Sequence, residues 1–297
     1  MAHSANNDAP MSSEFKRLIK APTLAWPTVV LCLGCLGGLG YSDYLAISGQ
    51  LNYWLACLIN GVITYFFFSV VHDSSHGAIA KNKAVNDLFG HIGMIFFGPL
   101  APLNFARWIH MQHHRYTNDP TKDPDHFGHI KDVFLPLRWL NFDFYYTKYF
   151  LENAGPLRKR FMNRLIIQIL VVIGIVSVAI AAGYGKEVFL LWLLPTRISS
   201  ALFVAMFVYL PHAPFKATAQ VNEYEASNIR AGCEWLLSPL MTYQNYHLVH
   251  HLYPTAPFYR MQKLWKMRLA FHLSKNPYYV GTFSVGRQVS PKHKVEC

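Results

Sequence analysis

Four apolar stretches of bilayer length, residues 23–41, 51–71, 165–183 and 188–211, limit what this chain can fold into. The 21 residues from 51 to 71 make about 31 Å of helix, the thickness of the hydrocarbon core. In lipid every backbone polar group has to be paired internally, so such stretches become helices. Composition agrees: 52% of the residues are hydrophobic and only 14% are charged, against about 25% charged in an ordinary soluble domain. The first stretch follows about twenty mostly polar residues without a small-residue cleavage site, and reads as a retained span.

A fifth apolar stretch, 88–106, is interrupted by Gly90, Gly93, Gly98, Pro99 and Pro102. Proline at that density would leave backbone groups unpaired in a straight span, so a re-entrant or interfacial hairpin is expected. Arg197 lies near the start of the fourth stretch. It is expected to reach toward the far interface, with the span proper beginning near Ile198. The fold class that follows is an all-α integral-membrane bundle of about four spans, with that hairpin and a cytoplasmic helical cap. A polar N-terminal segment (1–22) and a tail (276–297) flank a single domain, 23–275.

The net charge of +11 would suit nucleic acid, but no basic run is interleaved with aromatics in a soluble domain. Topology explains it better. With the N-terminus inside, 25 of the 27 Lys and Arg fall in inside segments, and only Lys186 and Arg197 lie toward the other face. Cys32 and Cys35 have C-x-x-C spacing but sit within an apolar run, where they read as small packing residues.

Fifteen histidines nearly equal the sixteen acids, and eight of them are clustered. His72 and His76 form H-x3-H directly after the second span. His110, His113 and His114 form H-x2-H-H, and His247, His250 and His251 repeat that spacing. Residues at i, i+3 and i+4 share a helix face, so each cluster aims its imidazoles into one space. Neutral imidazole is the commonest metal-binding side chain. Eight are too many for one ion and suit two. The second and fourth spans both end inside, so all three clusters fall on one face, within reach of one another. His212, ending the fourth span at the depth of His72, is a candidate ninth ligand. Asp73, Asp119, Asp123 and Asp125 are placed to accept the second N–H of ligand rings, although Asp119, Asp123 and Asp125 also suit turns. His3, His91, His126, His129, His272 and His293 lack cluster spacing. There is no E-x-x-H pair of a carboxylate-bridged bundle, no zincin H-E-x-x-H, no phosphate loop and no cysteine set for an iron–sulfur cluster.

The three boxes, in this order around two pairs of spans, resemble the membrane fatty acid desaturase and hydroxylase superfamily over about residues 55–265. The run Asn245-Tyr246-His247-Leu248-Val249-His250-His251-Leu252-Tyr253-Pro254 is similar to the last box of bacterial acyl-lipid desaturases. Asp123-Pro124-Asp125-His126-Phe127 and Leu210-Pro211-His212 resemble carotenoid hydroxylases and ketolases. Three residues separate the first-box histidines, where many acyl desaturases have four. The resemblance implies two non-haem irons held by His72, His76, His110, His113, His114, His247, His250 and His251, with His212 joining them. It also implies O2 as co-substrate.

No His-Pro-Gly-Gly motif of a fused cytochrome b5 domain is present. A separate electron donor is therefore expected: a ferredoxin, a flavoprotein or a cytochrome b5-like protein. The activity expected is O2-dependent oxidation of a lipid C–H bond, foremost fatty acyl desaturation, with the substrate entering from the membrane through an apolar tunnel. Carotenoid ring hydroxylation or ketolation and terminal-alkene formation use the same chemistry. A divalent-metal transporter is the reading from another class, but it would place ligands at mid-span rather than at span ends. The bacterial character of the last box points to an inner membrane, with both termini and the metal site cytoplasmic.

Overall fold

The computed structural model describes residues 11–282, 284 and 285; the rest of the expected N-terminal segment and tail lies outside the described residues. Four helices are long and apolar enough to cross a membrane: α2 (Trp26–Ile47), α3 (Tyr53–Ser75), α8 (Leu157–Ala181) and α9 (Gly185–His212). A short helix, α1 (Ser13–Leu18), precedes them. Pro27 at the first turn of α2, where no N–H partner is needed, starts that helix. Asn52 caps α3, its side-chain oxygen accepting from Trp54 N at 2.8 Å.

α3 is the hub, with α2, α9 and the hairpin packed around it. Close approach depends on glycine at two contacts. A Cβ on Gly61 would stand 2.6 Å from Ile198 Cβ of α9, and one on Gly90 would stand 2.2 Å from Ser74 Oγ of α3.

The glycine- and proline-broken stretch folds into α4 (Lys83–Phe97) and α5 (Leu103–Tyr116), joined by residues 98–102. This hairpin reaches far along the bundle, since Trp192 Nε1 of α9 donates to Ile95 O at 3.2 Å. Trp192 precedes His212 by twenty residues, about 30 Å of helix. A second descent follows through α6 (Leu135–Leu140) and α7 (Phe142–Asn153). Between the two hairpins and the spans lies an aromatic core in which Phe68 and Phe203 have centroids 4.2 Å apart and Phe142 and Phe203 5.1 Å.

α9 corrects one expectation. It runs unbroken past Arg197, with π-type turns at Val188–Leu193 and Val204–Tyr209. The arginine does not turn toward the far interface. Its Nη1 and Nη2 grip the two carboxylate oxygens of Asp143 on α7 at 3.0 and 3.1 Å. A long-range partner removes the need to reach water.

The chain is also not wholly helical. Asn228–Ala231 (β1) and Tyr278–Gly281 (β2) form a two-stranded parallel sheet at the histidine end of the bundle. Four residues buried on both faces show no alternation that the sequence could betray. Arg230 of β1 is 1% exposed and spends its guanidinium on the carbonyls of Gly281, Thr282, Ser284 and Leu210 at 2.7–3.1 Å. It thereby ties the last turn of α9 to the strand pair.

Candidate metal centre

The histidines come from four element ends brought to one end of the bundle. His72 and His76 lie on the last turn of α3, and His110, His113 and His114 on the last turns of α5. His212 closes α9, and a short helix His247–Leu252 carries His247, His250 and His251. They form two nests. The ligating atoms of His72, His76, His110 and His250 lie within 4.8 Å of one another, as do those of His113, His212, His247 and His251. His114 Nε2 belongs with the first nest, 2.8 Å from His250 Nε2 and 3.2 Å from His110 Nε2.

The split corrects the expectation that each cluster aims all its imidazoles into one space, and helix geometry explains it. Residues i and i+4 stand one above the other, whereas i+3 points about 100° away from i+4. His110 and His114 therefore share a nest while His113 turns to the other; His247 and His251 share the second while His250 turns to the first. The two boxes thus cross-link the nests.

The proton inventory tests whether the nests suit a metal. A neutral imidazole carries one N–H and one lone pair. His212 Nδ1 donates to Ala226 O at 3.0 Å, and His113 Nδ1 donates to Asp123 Oδ1 at 3.0 Å. His247 Nδ1 donates to Gln244 Oε1. With each ring neutral and its Nδ1 hydrogen on that acceptor, each Nε2 is left to present a lone pair. Yet Nε2 of His212 lies 3.1 Å from that of His113 and 3.0 Å from that of His247. Neutral rings held this way set their lone pairs against one another, and a cation among them relieves that repulsion. Nitrogen ligands at about 2.0–2.1 Å from an ion have edges of about this length. The donor set fits a divalent metal.

The acids fall into two groups. Asp123 and Asp125 flank His113, with Asp125 Oδ2 at 3.2 Å from Nδ1. Asp123 also accepts from Asn118 N at 2.7 Å and Asp125 N at 2.9 Å, which fixes the turn. Burial and the neighbouring Asp123 push the Asp125 carboxyl up from its ordinary value. Asp73 Oδ1 stands 3.7 Å from His72 Nδ1, and its carboxylate accepts from the Thr28 hydroxyl at 2.8 Å. It braces α3 against α2. Asp119 touches none of the box histidines; it accepts from Thr121 and Lys122 in an exposed turn.

Gln244 and Tyr146 escaped the sequence reading. Gln244 sits three residues before His247, one turn away, a spacing that could have flagged it. Tyr146 donates its hydroxyl to Asp125 Oδ1 at 2.6 Å and comes from α7, with no local signal. Gln244→Leu is expected to free the His247 tautomer and lower metal affinity about 10–100-fold, the usual loss when a partner behind a ligand is removed. Titration of apo-protein with Fe(II) under anaerobic conditions measures it, and an unchanged affinity refutes it.

A cavity of about 390 Å³ runs from His72, His110, His113 and His247 along the aromatic core to Asp143 and Arg197. A separate surface depression is bordered by His114, His251, Arg115, Gln220 and Glu223. The nests therefore meet an apolar chamber on one side and a polar surface on the other.

The profile of the fatty acid desaturase family matches residues 48–282. The chain is 29% identical over 244 residues to dihydrorhizobitoxine desaturase of Bradyrhizobium elkanii, covering 73% of this chain and 68% of that protein. It is 24% identical over 271 residues to sn-1 oleoyl-lipid 12-desaturase of Arthrospira platensis, covering 80% and 74%. It is 25% identical over 198 residues to beta-carotene ketolase of Paracoccus sp., covering 65% and 71%.

Proposed function

Because this chain belongs to the fatty acid desaturase family, we propose that its nine converging histidines hold two iron ions and that the adjoining cavity presents a lipid chain to them for O2-dependent desaturation. The protein is a membrane oxidoreductase of the desaturase type. The observation carrying the metal assignment is the convergence of ring nitrogens, with His113, His212, His247 and His251 presenting ligating atoms within 4.8 Å of one another and His72, His76, His110 and His250 doing the same. One ion takes His72, His76, His110, His114 and His250; the other takes His113, His212, His247 and His251. Zinc would fit the nitrogen donors but has no redox chemistry. Bound iron supplies the electron transfer that couples O2 reduction to removal of hydrogen from carbon.

The balance defines the partners. Converting CH2–CH2 to CH=CH releases two hydrogens with two electrons, and reducing O2 to two waters takes four electrons. Two more electrons and two protons must arrive from outside. The depression at His114 and His251, edged by Arg115, is where a separate acidic redox protein would come nearest the nests.

The protein's own residues do the rest. Asp123, Gln244 and the Ala226 carbonyl keep the ring protons on Nδ1. The aromatic wall of Phe68, Phe97, Phe203 and Phe207 excludes water and holds a chain against the nests. The hairpin α4–α5 is re-entrant from the histidine end, and that end faces the cytoplasm of a bacterial inner membrane, in accord with the Lys and Arg distribution.

Similarity to the ketolase, and an H-x3-H first box, favour hydroxylation or ketolation of a ring-bearing lipid as the second reading. Expression in a host whose lipids and pigments are profiled, with metal analysis of the purified protein, tests both. About two irons per chain and a new double bond dependent on O2 and reductant are expected. An oxygenated pigment selects the second reading, and iron-replete protein that alters no lipid refutes both.

A further inference from the structure

Arg197 lies twelve residues in from Gly185 and fifteen before His212, near the middle of a span. That places it about 22 Å along the helix from the histidine end. A charge at mid-bilayer is costly and is kept where it binds something. Asp143 neutralises it, yet the two side chains remain 31% and 32% exposed. Both line the far end of the cavity. An ion pair bared to hydrocarbon would be unfavourable, so the exposed edge needs a polar occupant.

The hydrogen-bond inventory says what kind. Arg197 has five N–H donors. Nε donates to Thr196 Oγ1, Nη1 to Leu140 O and Asp143 Oδ1, and Nη2 to Asp143 Oδ2. Among the described residues one Nη2 N–H has no acceptor. The Asp143 carboxylate keeps lone pairs beyond those used by Arg197 and Phe144 N. The pair is electrically neutral, so it favours neither an anion nor a cation. It offers one donor beside one strong acceptor, the complement of a hydroxyl.

We propose that Arg197 and Asp143 form a recognition site for a neutral oxygen, a hydroxyl above all, at the end of the substrate remote from the carbon that reacts. This rests on the reading of the cavity as the substrate chamber. A plain acyl lipid anchored by its head group at the histidine end would bring only its methyl end to this depth. The substrate class selected is therefore a long lipid oxygenated at its distal end. Arg197 and Asp143 are positioning residues that fix which carbon stands before the nests.

Binding of hexadecane, hexadecanol and the methyl ether of hexadecanol to iron-loaded protein in detergent tests this without turnover. In wild type the alcohol is expected to bind several-fold tighter than its ether. In the double variant Arg197→Met, Asp143→Leu, affinity for the alcohol falls about tenfold, the worth of a hydrogen bond to a charged group, while hexadecane is unaffected. The apolar pair fills the same space, and iron content reports that the fold is retained. Alcohol affinity unchanged in the double variant overturns the inference; so does equal binding of alcohol and ether by wild type, which needs no variant. Iron-loaded protein that shows the preference yet oxidises no lipid refutes the function reading and leaves this one standing. Lipid oxidation by protein indifferent to the hydroxyl does the reverse.

Discussion

His212→Ala is expected to purify with about one iron per chain in place of two and to lose at least about a hundredfold in turnover. Losing a partner behind a metal ligand already costs about 10–100-fold, and losing the ligand itself costs more. His212 faces two of the other three rings of its nest, with Nε2 at 3.1 Å from His113 and 3.0 Å from His247. The other nest shares no histidine with it and stays intact. The result is therefore selective: half the metal remains while nearly all the activity goes, because the proposed oxidation needs both ions. Metal analysis with a Mössbauer spectrum of the iron-57-loaded variant reads the outcome. Two irons bound as in wild type would remove His212 from the ligand set.

The boxes were legible because their information is local. A helix places i and i+4 on one face whatever surrounds it, so His110 with His114 and His247 with His251 could be paired from spacing alone. Which nest received His113 or His250 was not legible, because that depends on how α5 crosses the short helix His247–Leu252. The four long apolar helices were equally visible, as lipid leaves the backbone no alternative. Arg197 misled the reading because its partner Asp143 is 54 residues away, on a helix whose descent into the bundle has no hydropathy signature. Tyr146 was hidden for the same reason. The strand pair was hidden because each strand is only four residues long and β1 shows no alternation, while Arg230 clasps the pair through contacts distant in sequence.

That arginine sets the second large effect. Arg230→Leu is expected to destabilise the histidine end by about 2–4 kcal/mol, the cost of leaving buried carbonyls short of donors. Four carbonyls each lose one donor at once: Leu210 at the end of α9, which keeps Asn228, and Gly281, Thr282 and Ser284 around β2, of which Gly281 keeps Ser284 N. Leucine fills much of the space but donates nothing, and no water reaches a site 1% exposed to replace the bonds. The loss reaches the metal through the chain itself, since Leu210 is two residues before His212 and Asn228, on the same strand as Arg230, also donates to Leu210 O and Ala213 O. Loosening this clasp lets the last turn of α9 shift, and the second nest weakens before the first. Hydrogen exchange should show lost protection in 210–213 and 278–282, with α3 and α8 unchanged. Thermal release of iron should occur in two steps rather than one. Uniform loss of protection across the four spans would mean that Arg230 supports the whole bundle and not the histidine end alone.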